Sequence, residues 1–208
     1  MIELHTAQTS NGQRVAVMLE ECGLAYRVRS YALMKGEHRT PEFRAITPAG
    51  RIPVIVDDDG PGGQPVTLTQ SAAILVYLAQ KAGRFLPSEP LARTRAFEWL
   101  FLAMTDVVPS SSSMFYDAVL VPDKSEANVA WHEARLVDWL RLADARLADR
   151  EWLADELSIA DFALYPVTVV RRSSIERIGG LPRLERWQRA LAARPGVARG
   201  MAAAEPDR

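Results

Sequence analysis

Thr9-Ser10-Asn11-Gly12 sets three short polar side chains and a glycine between a strand pattern (Ile2, Leu4) and an amphipathic run that starts at Val15. Residues of these types at a strand-to-helix junction can do two things. They can start a helix: Ser10 with Gln13 fits a Ser-x-x-Gln capping box, and Asn11 is itself a good N-cap. They can also frame the N-terminus of that helix, where unpaired N–H groups and a partial positive charge stabilise an anion such as a thiolate.

Three other loops carry groups of interest. Ile52-Pro53 precedes a strand. A cis bond there would turn the Ile52 backbone outward to pair with an extended peptide, whereas a trans proline would only end a loop. Gln70-Ser71 opens a helix and could offer a carboxylate two backbone N–H groups and a hydroxyl, or simply cap the helix. His38 and Arg51 lie in polar loops and could face solvent or a ligand carboxylate.

Cysteine usage narrows the chemistry. With Cys22 as the single cysteine, an intramolecular disulfide, a Cys-x-x-Cys pair and a cysteine-rich zinc site are all excluded. Cys22 follows Val15, Met18 and Leu19 at helical spacing and reads as a small buried hydrophobe. Any thiol chemistry must use a ligand's thiol. His5 and His132 have no partner at metal-ligand spacing and read as structural or exposed, so no metal is expected. A net charge of −1 gives no basis for a nucleic-acid or anionic-membrane partner. No apolar run is long enough to span a bilayer, and the N-terminus lacks the features of a signal peptide, so a cytoplasmic protein is expected.

The positioning elements follow from periodicity. A strand at 2–6, a helix at 11–22 stopped by Gly23 and a strand at 26–31 form a βαβ unit with parallel strands. A short helix starts at Pro41. Strands at 51–56 and 65–68, joined by the turn Asp57-Asp58-Asp59-Gly60-Pro61-Gly62-Gly63, form an antiparallel pair. A helix from Ser71 closes at Gly83. Residues 84–90, with Pro87 and Pro90, read as a linker. Beyond them the strand signals vanish. The helical pattern is disturbed at Pro109, resumes with Leu136, Leu140 and Leu147, and includes a Ser158–Asp161 capping box before a helix that Pro166 should kink. A final helix begins at Leu181-Pro182 and ends before Pro195, with a frayed tail from Ala202. The domains expected are 1–83 and an all-helical 91–208.

In this order of elements, Thr9-Ser10-Asn11-Gly12, Arg51-Ile52-Pro53, Leu68-Thr69-Gln70-Ser71-Ala72-Ala73-Ile74-Leu75 and Ser158-Ile159-Ala160-Asp161 resemble the glutathione transferase family over nearly the whole chain. The Thr-x-Asn-Gly junction is most similar to the bacterial Nu-class branch, noted for reducing disulfides with glutathione. The resemblance implies an α/β thioredoxin-like N-terminal domain, an all-α C-terminal domain, a homodimer and glutathione as the cofactor. It implies a detoxification-type transferase or disulfide reductase acting on a small electrophile or disulfide.

It also implies roles. Thr9 stands where the family donates to the glutathione sulfur, with Asn11 close by and Ser10 as a competing candidate. Ile52 pairs through its main chain with the cysteinyl backbone, beside a cis Pro53. Gln70 and Ser71 hold the γ-glutamyl end, and His38 and Arg51 the glycyl end. The electrophile would meet helices carrying Met104, Ser110-Ser111-Ser112-Ser113, Met114, Phe115 and Tyr116; a Met and aromatic stripe is more often core than a substrate wall, and the serines read as a small-residue gap for a substrate or as a poor helix segment after Pro109.

Two departures matter. Gln70 replaces the acidic residue of many relatives, so a carboxylate from elsewhere or from a partner subunit would have to face the ligand's ammonium. The junction also has no tyrosine or cysteine. Lowering a thiol pKa from about 8.5 by about two units requires roughly 2.7 kcal/mol. A hydrogen bond to a charged acceptor supplies ~1.5–3 kcal/mol and a helix N-terminus up to ~2, so Thr9 with the Asn11 helix start suffices without a general base. The rival reading is a non-catalytic glutathione-binding or scaffold protein of the same fold; a glutathione-dependent isomerase or dehalogenase is a third.

Overall fold

The computed structural model describes residues 1–203. Strand β1 (Ile2–Thr6) is the inner strand on which the N-terminal sheet is built. It pairs in parallel with β2 (Tyr26–Ser30) and antiparallel with β3 (Val54–Asp57), which pairs antiparallel with β4 (Val66–Thr69), in the order β2-β1-β3-β4. Both pairings expected from the connection lengths are present. Helix α1 (Ser10–Cys22) makes the crossover between the parallel strands and ends on left-handed Gly23.

Register decides where the loops gather. Thr6 lies opposite Ser30, His5 opposite Val54, and Val54 opposite Thr69. The chain therefore leaves β1, β2 and β4, and enters β3, at one end of the sheet. Leu4 points with Ile2 into the core, while His5 points to the other side, where its ring meets Tyr31 and Phe43 of α2 (Pro41–Ile46).

Helix α1 is enclosed on most of its surface: Gly12 through Leu19 and Glu21 are all buried. It packs against α3 (Ser71–Ala82) and against a final helix in the chain, Pro195–Ala202. That last helix corrects the expectation that helical structure ends before Pro195. Its glycines are weak helix formers that hid it in the sequence, but they serve close packing. A Cβ at Gly200 would stand 2.4 Å from the Val17 Cα. Two ion pairs fasten the helix, Arg194 to the buried Glu21 and Arg199 to Glu20, each at 2.6 Å. The helix includes Ala202, where the tail was expected to begin fraying; the rest of that tail, 204–208, lies outside the described residues.

The chain divides into two compact units, Met1–Arg84 with the C-terminal segment from Ala192, and Phe85–Leu191. Phe85, inside the stretch read as a linker, is anchored in the second unit: its carbonyl accepts the Ile159 N–H at 2.9 Å and its ring meets Phe162 edge-on.

The second unit is helical: α4 (Pro90–Leu102), α5 (Val108–Phe115), α6 (Glu126–Arg146), α7 (Ile159–Val170), α8 (Arg172–Ile178) and α9 (Pro182–Ala192), which makes the C-terminal Pro195–Ala202 helix α10. Helix α7 forms its core, buried from Ile159 to Thr168, with Pro166 inside it. The Ser158–Asp161 capping box is present. Asp161 also accepts from Leu153 N at 3.0 Å and Trp187 Nε1 at 2.8 Å, so one carboxylate ties α7 to the preceding loop and to α9. Burial pushes the Asp161 carboxyl up to about 6, against the pull of these donors.

The disturbance expected at Pro109 takes the form of a π turn, Ala103–Val107, immediately ahead of it. Proline cannot donate to the preceding turn, and widening that turn accommodates its ring. The serine run is helical, with Ser110 and Ser111 buried in α5. Ser110 Oγ donates to the Asp106 carbonyl, and Ser111 Oγ accepts from Arg171 Nε at 2.8 Å.

Candidate functional site

The polar junction sits where β1 turns into α1. Thr9, not Ser10 or Asn11, is the N-cap: it is extended, and its Oγ1 accepts from the Gly12 backbone N–H at 3.1 Å. Ser10 and Asn11 are the first two helical residues. The capping box read from Ser10 and Gln13 does not form, because the Gln13 amide instead donates to the Met201 carbonyl of α10 at 3.4 Å. Gln8 donates to the same carbonyl, so the end of α10 borders the junction from behind. Only glycine fits at position 12, where a Cβ would stand 2.2 Å from Thr6 Oγ1 and 2.3 Å from the Ala7 carbonyl oxygen.

The cap decides what Thr9 can still do. Its oxygen is engaged by the Gly12 N–H, and its hydroxyl proton remains to be donated outward at the positive end of a thirteen-residue helix. Asn11, half-buried, is engaged in the same sense: its Oδ1 accepts from Arg14 Nη1 at 2.7 Å.

Arg14 Nη1 also donates to Ser71 Oγ at 3.1 Å, which joins the start of α1 to the start of α3. Ser71 is the first residue of α3 and is buried, while Gln70 occupies the cap position without a side-chain hydrogen bond. Gln70 has φ of 66°, a conformation a non-glycine side chain adopts at a cost of order 1–3 kcal/mol. A plain N-cap would not need that geometry. Sequence reasoning missed Arg14. The available signal was a charged residue one turn before Met18, on a face of α1 that the helical period assigns to the interior.

The Ile52–Pro53 peptide bond is cis. Pro53 immediately precedes Val54, and Gln70 immediately follows its partner Thr69, so the two loops leave the β3–β4 pair at the same end. His38 lies in the loop that follows β2, and the segment before Arg51 passes beside it: a Cβ on Gly50 would be 3.1 Å from the His38 carbonyl oxygen. Arg51 is exposed and His38 half-exposed. Burial, and then the charge of Arg39, lower the His38 pKa, which leaves it a neutral imidazole near neutrality.

Among the described residues no group of three or more metal-ligating side chains gathers. His5 is buried, with Nδ1 2.8 Å from the Tyr31 hydroxyl and Nε2 3.4 Å from Glu3, and His132 pairs with Asp117 at 3.7 Å, both structural placements. Cys22 is half-buried, and burial pushes its thiol up to about 11, so it is inert at neutral pH. In the second unit Met114 belongs to the core, whereas Phe115 and Tyr116 are 41% and 47% exposed.

A four-stranded βαβ-ββα sheet with a cis-proline at the end where the loops gather, followed by a helical unit, defines the thioredoxin-like transferase class. Residues 10–81 match the model of the glutathione S-transferase N-terminal domain. The chain is 32% identical to the disulfide-bond oxidoreductase YfcG of Escherichia coli strain K12, over 99% of this chain and 96% of that one. A glutathione transferase from Pseudomonas putida, solved with one glutathione disulfide bound per subunit, superposes with a TM-score of 0.88 at 31% identity, covering 96% of this chain and 90% of that chain. One from Burkholderia graminis, solved with two glutathione molecules per subunit, does so at 0.89 and 31%, covering 97% and 88%. The chain belongs to the glutathione S-transferase family.

Proposed function

We propose that this protein is a glutathione-dependent transferase and disulfide reductase that holds its substrate's thiol as a thiolate. The observation that carries the reading is the Thr9 cap: its oxygen accepts the Gly12 N–H at 3.1 Å, which holds the side chain at the start of α1 with its hydroxyl proton available to donate. A group so arranged at a helix N-terminus favours the thiolate over the thiol. In this reading Thr9 and Asn11 face the sulfur, with Ser10 the competing residue. Ile52 pairs through its backbone beside cis Pro53. Ser71 and Gln70 receive the γ-glutamyl end, and His38 and Arg51 the glycyl carboxylate. A neutral His38 leaves the charge complement there to Arg51.

Disulfide reduction is favoured over simple conjugation by two features of similar proteins: an oxidoreductase relative, and neighbours holding glutathione disulfide or two glutathiones. The steps balance without a protein cysteine. A glutathione thiolate attacks one sulfur of the substrate disulfide, the S–S bond breaks, and the leaving thiolate takes up a proton. A second glutathione thiolate attacks the resulting mixed disulfide, giving glutathione disulfide and releasing the second substrate thiol. Cys22 takes no part, its thiol being pushed up to about 11. A homodimer, cytoplasmic location and a detoxification role are part of the proposal on family membership alone.

The test is turnover of a small dialkyl disulfide with glutathione, read as glutathione disulfide formed, alongside conjugation to an aromatic halide. Saturable disulfide reduction is expected. Tight glutathione binding with neither activity would leave a holder of glutathione in place of a catalyst.

A further inference from the structure

Arg14 is fully buried, yet its Nη1 reaches two polar side chains on two different helix starts, Asn11 Oδ1 at 2.7 Å and Ser71 Oγ at 3.1 Å. A guanidinium is a donor with no acceptor. Each oxygen it touches is thereby engaged as an acceptor. For Asn11 this fixes the carboxamide orientation, with the NH2 as the remaining hydrogen-bonding group; for Ser71 it leaves the hydroxyl proton to be given away. Both residues are turned into donors, which is the polarity that a thiolate and a carboxylate require.

We propose that Arg14 is a positioning residue that sets the donor polarity of Asn11 and Ser71 and couples the thiolate end of the glutathione site to its γ-glutamyl end. This deepens the reading of the site given above and rests on it. Burial lowers the Arg14 pKa to about 9, so the group keeps its charge at neutral pH. Both bonds come from the one nitrogen Nη1, so lysine would keep the charge and could replace them only as far as its ammonium reaches that point.

The experiment compares the wild-type chain with Arg14→Met and Arg14→Lys, reading the pH midpoint of the bound glutathione thiolate's ultraviolet band and the KM and kcat for glutathione. Arg14→Met is expected to raise the midpoint by about one unit and the KM about tenfold together; Arg14→Lys should recover part of both. A purely structural role would lower the melting temperature and leave the thiolate midpoint of the folded fraction unmoved, and that result overturns the proposal. So does movement of one readout without the other.

Because substituting a buried side chain could prevent folding, Ser71→Ala provides a variant with Arg14 intact, read at saturating glutathione. Ser71 faces the γ-glutamyl end in this reading, so without coupling the thiolate midpoint of the bound glutathione stays at the wild-type value, and that result overturns the proposal. Coupling through Arg14 predicts a midpoint raised by about half a unit. Absence of any glutathione binding or thiolate band in the wild type would instead overturn the functional reading itself.

Discussion

The Thr9 hydroxyl oxygen accepts the Gly12 backbone N–H at 3.1 Å, so the residue proposed to donate to the glutathione sulfur is also the one that caps α1. Thr9→Ala removes both contributions. Loss of the cap costs about 1 kcal/mol of stability. Loss of the donor should lower turnover by roughly 10- to 100-fold, from a charged hydrogen bond of ~1.5–3 kcal/mol, while glutathione affinity changes little. Thr9→Ser should restore both. Ser71→Ala should show the opposite division, a raised KM with kcat largely kept. Steady-state kinetics with calorimetric titration checks the pair, and equal loss of kcat and affinity from either change would contradict the division of roles.

Gly12 is fixed by space. A methyl group there would overlap Thr6 Oγ1 and the Ala7 carbonyl, at 2.2 and 2.3 Å. Gly12→Ala should destabilise the first unit by about 1–3 kcal/mol and disturb the Thr9 cap. Urea unfolding and the thiolate band would report the two effects together.

Asp161 anchors the helical unit. Asparagine has one acceptor oxygen where the carboxylate has two, and its NH2 would face the Ser158 or Leu153 N–H. Asp161→Asn should cost about 2–3 kcal/mol, measured by urea unfolding. Burial raises Asp161 to about 6, above its unfolded value of about 3.9. The folded state therefore binds the extra proton, and this residue's contribution to stability falls as pH rises from about 4 to about 6. That slope should be missing from Asp161→Asn when the two proteins are compared across the window.

Cys22 should be dispensable. With its thiol pushed up to about 11, Cys22→Ser is expected to keep wild-type disulfide reduction within about twofold, and the native thiol should alkylate far more slowly than free glutathione at pH 7.5. Loss of reductase activity in Cys22→Ser would require a protein thiol in the reaction.

The sheet and its pairing were legible because each strand is short, alternating and bounded by turn residues, and because connection length decides parallel from antiparallel. Gly23, Gly83 and the Ser158–Asp161 box marked helix ends through local chemistry that tertiary packing did not override. The cap at the polar junction lies at Thr9, one residue before Ser10 and two before Asn11, since Thr, Ser and Asn are all good caps and local chemistry does not choose among them. Helix α10 was hidden because its glycines answer to the surface of α1, a partner far away in sequence. Arg14 was missed for a related reason: its one signal was a charge on the interior face of α1, and what makes it informative is complete burial against Asn11 and, from α3, Ser71.

The most direct test of the thiolate claim is the ultraviolet difference spectrum of the protein with glutathione, followed downward in pH. The account predicts a thiolate band that persists to a midpoint near pH 6.5, about two units below the free thiol value of about 8.5. Glutathione that binds but titrates in the free-thiol range would contradict it, because Thr9 and the start of α1 would then bind the tripeptide without activating its sulfur.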